Sequence, residues 1–112
     1  MKHLSFGEKS LFIGDEAADA LTNYAALLAD RGRADTVVLN AIGPDGHTVE
    51  ATFVLNEGAS LMTETADEGF KEPENSDVVE YMNTRALGLL QGERGEPLNE
   101  EDAVDFQRFA EG

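Results

Sequence analysis

Residues 34–56, ADTVVLNAIGPDGHTVEATFVLN, decide the fold because they hold two strands of alternating polarity joined by a turn. On one face of each strand the residues are apolar: Val37, Leu39 and Ala41 in the first, and Val49, Ala51, Phe53 and Leu55 in the second. Polar Thr48, Glu50 and Thr52 fill the opposite face of the second strand. This pattern is typical of an antiparallel sheet that packs against helices on one side only.

The tetrapeptide GPDG, residues 43–46, favours a tight turn between these two strands. Pro44 suits the second position of a type I turn, and Gly46 can adopt positive φ after it. Residues 59–65 are expected to return as a further strand beside the second one. The three strands together would form a meander.

The beginning of the chain predicts a short hairpin and then a helix. KHLSF and KSLFIG flank the dipeptide GE and alternate apolar with polar residues. Residues 15–31 follow with Asp15 as the expected N-cap and Gly32 as the left-handed C-terminal cap. Their apolar residues recur at helical spacing: Ala17, Leu21, Tyr24 and Leu28, with Ala20 and Leu27 widening the stripe.

Residues 66–77, ADEGFKEPENSD, are interpreted as a polar connector that leads into a second helix. Asp77 or Ser76 is the expected N-cap, and Gly92 follows the last turn. The predicted apolar stripe of this helix consists of Val78, Met82, Ala86, Leu89 and Leu90.

The end of the chain predicts a separate amphipathic element. We divide the sequence into an α+β domain (1–92), a connector (93–98) and a C-terminal helix (99–112). The candidate interface residues are Leu98, Phe106 and Phe109. A short helix of this kind is marginal alone, so it must pack on its own domain, on an identical subunit or in the groove of a foreign partner. Docking on the parent domain is the commonest of these arrangements.

The charge balance restricts the partners of the chain. Eight basic residues stand against 23 acidic ones, for a formal net charge of −15 over 112 residues. Such a chain repels the phosphates of nucleic acids and of anionic membranes, so neither is an expected direct partner. Basic proteins are plausible partners, although an acidic surface also keeps a small protein soluble.

No residue pattern predicts chemistry. The histidines, His3 and His47, are expected on the surface or at strand edges, with His3 in a frayed first strand. The acidic runs at 15–19, 72–77 and 99–102 lack the spacing of an EF-hand and stand where helix capping accounts for them. No serine lies in a G-x-S-x-G motif, and there is no cysteine. We therefore predict no catalytic residue, no metal site and no cofactor.

These observations predict an α+β domain with a single antiparallel sheet of about five strands, in the order ββαβββαα. The element order is similar to that of profilin-like and roadblock-type domains, small modules that often dimerise or act as adaptors, and a β-grasp-like sheet is the rival architecture. The expected function is a non-enzymatic protein interaction or adaptor module, homodimeric and cytoplasmic. The alternatives are an acidic mimic of nucleic acid that inhibits a DNA-binding protein and, third, a small-ligand binder or hydrolase.

Overall fold

A computed structural model describes residues 1–66 and 70–93, with side chains through residue 91. It confirms the α+β class and the single antiparallel sheet of five strands. The elements are β1 (Lys2–Phe6), β2 (Lys9–Ile13), α1 (Asp15–Asp30), β3 (Asp35–Ile42), β4 (Thr48–Leu55), β5 (Leu61–Thr65) and α2 (Ser76–Glu93). The predicted helix 99–112, and all but the first residue of the connector 93–98, lie outside the described residues.

The strands lie side by side in the order β4-β3-β2-β1-β5, so the predicted meander is wrong. β5 does not return beside β4 but pairs antiparallel with β1 along its whole length, from Lys2 opposite Thr65 to Phe6 opposite Leu61. A further bond from the Gly7 N–H to the Ser60 carbonyl extends this ladder. β1 is thereby hydrogen-bonded on both sides, and β4 becomes an edge strand of the sheet.

The sheet consists of two parts joined at one narrow contact. β3 and β4 pair over eight positions, from Asp35 opposite Leu55 to Ile42 opposite Thr48. β2 and β3, in contrast, pair only where Phe12 lies opposite Ile42. The β3–β4 hairpin and the β2-β1-β5 part of the sheet can therefore fold toward each other, and the rings of Phe6 and Phe53 meet with centroids 5.3 Å apart.

Helix α1 provides most of the cover for the concave face of the sheet. The predicted stripe is confirmed, with Ala17, Leu21, Tyr24 and Leu28 all buried. At its C-terminus the Gly32 N–H donates to the Ala29 carbonyl and the Arg33 N–H to the Leu28 carbonyl, while Gly32 has φ +65°. These are the two bonds of a Schellman motif, so the predicted glycine cap is confirmed.

The start of α1 differs from the prediction. Gly14, not Asp15, is the N-cap residue, and Gly14 has no side chain to accept a bond. The carboxylate of Glu72, 57 positions further along the chain, takes this role and accepts the Asp15 N–H at 3.2 Å. A Cβ at Gly14 would lie 2.5 Å from the Glu72 carboxyl carbon, so a glycine is needed for the carboxylate to approach.

The second half of the predicted connector, from residue 70 onward, makes specific contacts with the rest of the fold. Asn75 accepts the Asn40 N–H of β3 through Oδ1 and donates to the Asn40 carbonyl through Nδ2, both at 2.8 Å. The Asn75 carbonyl accepts the Val79 N–H, so Asn75 is the residue that caps α2, in place of the predicted Asp77 or Ser76. Glu74 and Asn75 thereby bond to β3 at Asn40, on the side where β2 pairs with β3 only at Ile42.

The buried face of α2 is rotated slightly from the predicted stripe. Val79, Met82 and Ala86 are buried, whereas Val78 and Leu89 are half-buried. Leu90, predicted to be part of the stripe, is exposed, as is Leu87. The rotation arises because α2 packs mainly on α1 rather than on the sheet.

A polar cluster fixes the two helices to the start of β3. The Tyr24 hydroxyl of α1 donates to Asp35 Oδ2 at 2.5 Å, and the Tyr81 hydroxyl of α2 donates to the same oxygen at 2.7 Å. Arg85 donates from Nε to the Tyr24 hydroxyl at 3.3 Å. Burial, together with the bond to Asp35, raises the pKa of Tyr24 above its ordinary value, so this tyrosine holds its proton firmly.

Candidate functional site

The helices leave one end of the concave face uncovered. Burial along the inner side of β4 decreases toward the turn: Leu55 is 0% exposed, Phe53 is 3% exposed, Ala51 is half-buried and Val49 is 38% exposed. The inner sides of β1 and β2 show the same trend, from buried Leu4 and Ile13 to half-buried Phe6 and Leu11. The exposed ends of both hairpins lie together, and we call the space between them the trough.

The trough has a volume of about 790 Å³, within the usual range for binding pockets of roughly 300–1,000 Å³. Its floor is apolar and consists of Leu4, Phe6, Leu11, Val49, Ala51 and Phe53. Gly43 and Pro44 of the β3–β4 turn also line it. A concave apolar floor with a few polar groups around it favours a ligand or partner that also contributes apolar groups.

The geometry of the trough follows from the pairing of the sheet. The single pair between Phe12 and Ile42 holds the two hairpins together at one point. Beyond that point the ends of the hairpins are free to separate, and the turn closed by the Gly43 N–H and the His47 carbonyl forms one wall. The Phe6 and Phe53 rings meet at the inner end and separate the trough from the core under α1.

The rim of the trough is predominantly acidic. Glu8, Asp45 and Glu50 line it together with a single basic residue, Lys9. His47 Nδ1 lies 2.9 Å from Asp45 Oδ2 in the exposed turn. The hydrogen bond from His47 lowers the pKa of Asp45, so this carboxylate stays ionised well below neutral pH. The same bond raises the pKa of His47.

The second histidine lies on the opposite, convex face of the sheet. His3 packs on Phe12 with ring centroids 5.1 Å apart, and Phe70 packs on the other side of Phe12 at 5.8 Å. The prediction of a frayed first strand is wrong, because β1 is an inner strand paired on both sides. His3 therefore lies away from the trough, and neither His3 nor His47 lines it.

The acidic runs at 15–19 and 72–77 serve the fold. Asp19 binds Lys2 Nζ at 2.8 Å, Glu72 caps α1, and Glu74 accepts the Ser76 N–H at 2.7 Å. The hydrogen bonds from Ser76 lower the pKa of Glu74. Within the described part of the chain, no group of three or more His, Asp or Glu side chains is placed to hold a metal ion.

The candidate interface predicted from the sequence, Leu98, Phe106 and Phe109, lies outside the described residues. The trough was not predicted, since each of its apolar residues also fits the inner face of an ordinary strand. One signal was present in the sequence: β2 has five residues and β3 has eight, so β2 cannot cover the whole of its neighbour. A partly covered strand leaves part of the sheet open.

Comparisons of the chain with family models, with curated proteins and with solved structures found no match. Neither of the two helices in the described ranges is long and apolar enough to cross a membrane. The functional interpretation therefore depends on the geometry of the trough and on the charge of the chain.

Proposed function

We propose that this chain is a non-enzymatic protein interaction module that binds a basic segment of a partner protein in the trough. The observation that carries the proposal is the combination of an exposed apolar floor with an acidic rim at one end of the sheet. Apolar side chains of the partner would pack on Phe6, Leu11 and Val49, the floor residues that are half-buried or exposed. Removing these surfaces from water would contribute favourably to binding.

Charge selects the partner. The net charge of −15 attracts basic proteins over long distances, and Glu8, Asp45 and Glu50 attract them at the rim itself. Exposed charges of this kind act mainly on the association rate and on specificity, and salt screens them. We expect binding that weakens as ionic strength rises, with a residual apolar contribution at high salt.

Self-association is a second proposal, supported by a different surface. Leu87 and Leu90 are exposed one turn apart near the end of α2, so they form a small apolar patch on one helix face. The chain continues from α2 into the residues that contain Leu98, Phe106 and Phe109. A homodimer that buries this patch fits the sequence prediction and leaves the trough free for a partner. The acidic mimic of nucleic acid stays a prediction that no observation on the described residues tests.

The main proposal is tested with a synthetic peptide of alternating valine and lysine, blocked at both ends. Isothermal titration should show binding of this peptide, and none of a peptide in which glutamate replaces every lysine. Binding should weaken when sodium chloride is raised, as charge attraction requires. Equal binding of both peptides, or of neither, would reject the proposal.

Two substitutions in the same strand provide a matched control. Val49 points into the trough, whereas Val54 points to the opposite face of β4 and is also exposed. Val49→Asp places a carboxylate against the apolar floor, so it should weaken binding by about tenfold or more. Val54→Asp introduces the same charge outside the trough and should not weaken it.

A further inference from the structure

The trough is bordered by an edge of the sheet that has unpaired backbone groups. β4 pairs with β3 alone among the described strands. The Gly43 N–H donates to the His47 carbonyl, and these two residues are directly opposite in the register that continues into β4. Since hydrogen-bonded pairs alternate along an antiparallel ladder, the odd-numbered residues of β4 bond to β3. The even-numbered residues direct their N–H and C=O groups away from it: Thr48, Glu50, Thr52 and Val54.

Asn40 provides an independent check of this assignment. Asn40 lies opposite Glu50, and both its N–H and its carbonyl bond to the Asn75 side chain on the far side of β3. The pair of Asn40 and Glu50 is therefore not bonded across the β3–β4 ladder. It follows that the backbone groups of Glu50 also point outward, to the free edge of the sheet.

Within the part of the chain that the structure describes, this edge has few of the features that usually prevent strand addition, and its single charged side chain is Glu50. Natural edge strands are protected by lysine, proline, bulges or short length. β4 has eight residues, TVEATFVL, with no lysine, no proline and an uninterrupted register opposite β3. The lining of the trough includes Glu50 and Thr52, so the trough extends to this edge.

We propose that the partner segment binds as an additional antiparallel strand on the free edge of β4. This inference rests on the proposed function and specifies how the partner is held. Alternate side chains of the added strand would lie beside Val49, Ala51 and Phe53, continuous with the trough, and should be apolar. The side chains between them would lie on the outer face beside Glu50 and should be basic, since opposite charges on neighbouring strands attract.

Charge disfavours the two other occupants of this edge, a second copy of β4 and the end of this chain. In a second copy of β4 the only charged residue is Glu50, which cannot complement the Glu50 or the acidic rim of the first copy. The end of this chain is also acidic, with Glu100, Glu101 and Asp102 in succession. A basic segment of another protein is the occupant that the charges favour.

Backbone methylation of the valine–lysine peptide tests strand addition separately from binding. In an antiparallel arrangement the lysine amides face β4 and the valine amides face solvent. Methylating the lysine amides removes several backbone hydrogen bonds together, so affinity should fall by about tenfold or more. Methylating the valine amides should leave affinity nearly unchanged.

A substitution in the protein gives the complementary test. Thr52→Pro removes an N–H that points to the free edge and leaves the ladder with β3 intact, while Thr52→Val is the matched control. The proline variant should lose affinity for the peptide and the valine variant should keep it, with the melting temperature of each measured alongside. If the proline variant does not fold, the methylated peptides decide alone.

The outcomes separate the two proposals. If the unmodified peptide does not bind, the proposed function itself fails. If it binds and both methylated peptides bind equally well, strand addition is overturned and the trough proposal stands. A dimer of the free protein that Thr52→Pro dissociates would also overturn strand addition, because a second copy would then occupy β4.

Discussion

The Tyr24 hydroxyl should be worth more to stability than the Tyr81 hydroxyl, although both donate to the same oxygen of Asp35. Tyr24 is 1% exposed and its hydroxyl also accepts from Arg85, whereas Tyr81 is 40% exposed. A hydrogen bond to a charged acceptor contributes about 1.5–3 kcal/mol when water cannot replace it. Tyr24→Phe should therefore cost about 2 kcal/mol, and Tyr81→Phe less than about 1 kcal/mol, because water can replace the exposed bond.

Urea denaturation of both variants, followed by far-UV circular dichroism, measures these differences directly. For a domain of this size, about 2 kcal/mol corresponds to a fall in melting temperature of roughly 10 °C. The Tyr81→Phe variant is the matched control, because it removes the same group from the same acceptor. Equal losses for the two variants, or a loss below about 0.5 kcal/mol for Tyr24→Phe, would show that burial does not strengthen the Tyr24–Asp35 hydrogen bond.

Three other predictions concern alkaline pH, the cap of α1 and the end of the chain. Burial and Asp35 raise the pKa of Tyr24 in the folded state. The contribution of Tyr24 to the free energy of unfolding should therefore be fully present below about pH 10 and should fall at higher pH by up to about 1.4 kcal/mol per pH unit. Tyr24→Phe should remove most of this alkaline loss when denaturation is measured across that range. Glu72→Ala removes the cap of α1 and should lower the free energy of unfolding by about 1 kcal/mol in urea denaturation. Glu57 is an exposed acid in the β4–β5 loop, so Glu57→Ala should change it very little. Equal losses would contradict the capping role of Glu72. Deletion of residues 97–112 should lower the melting temperature or convert a dimer to a monomer in light scattering, and an unchanged temperature together with an unchanged mass would reject a docking role for that segment.

The sequence was sufficient to predict those parts of the fold that depend on residues close together along the chain. Helix α1 followed from the spacing of Leu21, Tyr24 and Leu28, and the β3–β4 turn from Pro44 and Gly46, which has φ +87°. These features are determined by residues a few positions apart, so periodicity and turn chemistry predict them.

The predictions that were wrong concern contacts between distant parts of the chain. Alternation in β5 specified which side chains share a face but not which strand would be its neighbour, so its pairing with β1 was missed. Glu72 and Asn75 lie in a stretch without periodicity, and their bonds reach Asp15 and Asn40 more than thirty positions away. Such side-chain bonds to the backbone leave no local pattern in the sequence.

The trough was missed for the same reason. Its floor combines residues of β1, β2 and β4, which come together only because β2 and β3 pair at a single position. The prediction of a basic partner required only the charge balance, which the composition states directly. The structure was needed to locate the surface that we propose for this partner.

Amide hydrogen exchange with and without the valine–lysine peptide tests the central proposal most directly. We expect the peptide to slow exchange at the outward amides of β4, those of Thr48, Glu50, Thr52 and Val54, and to leave the exposed part of α2 near Leu87 unchanged. Slowed exchange at α2 with no change in β4 would contradict it.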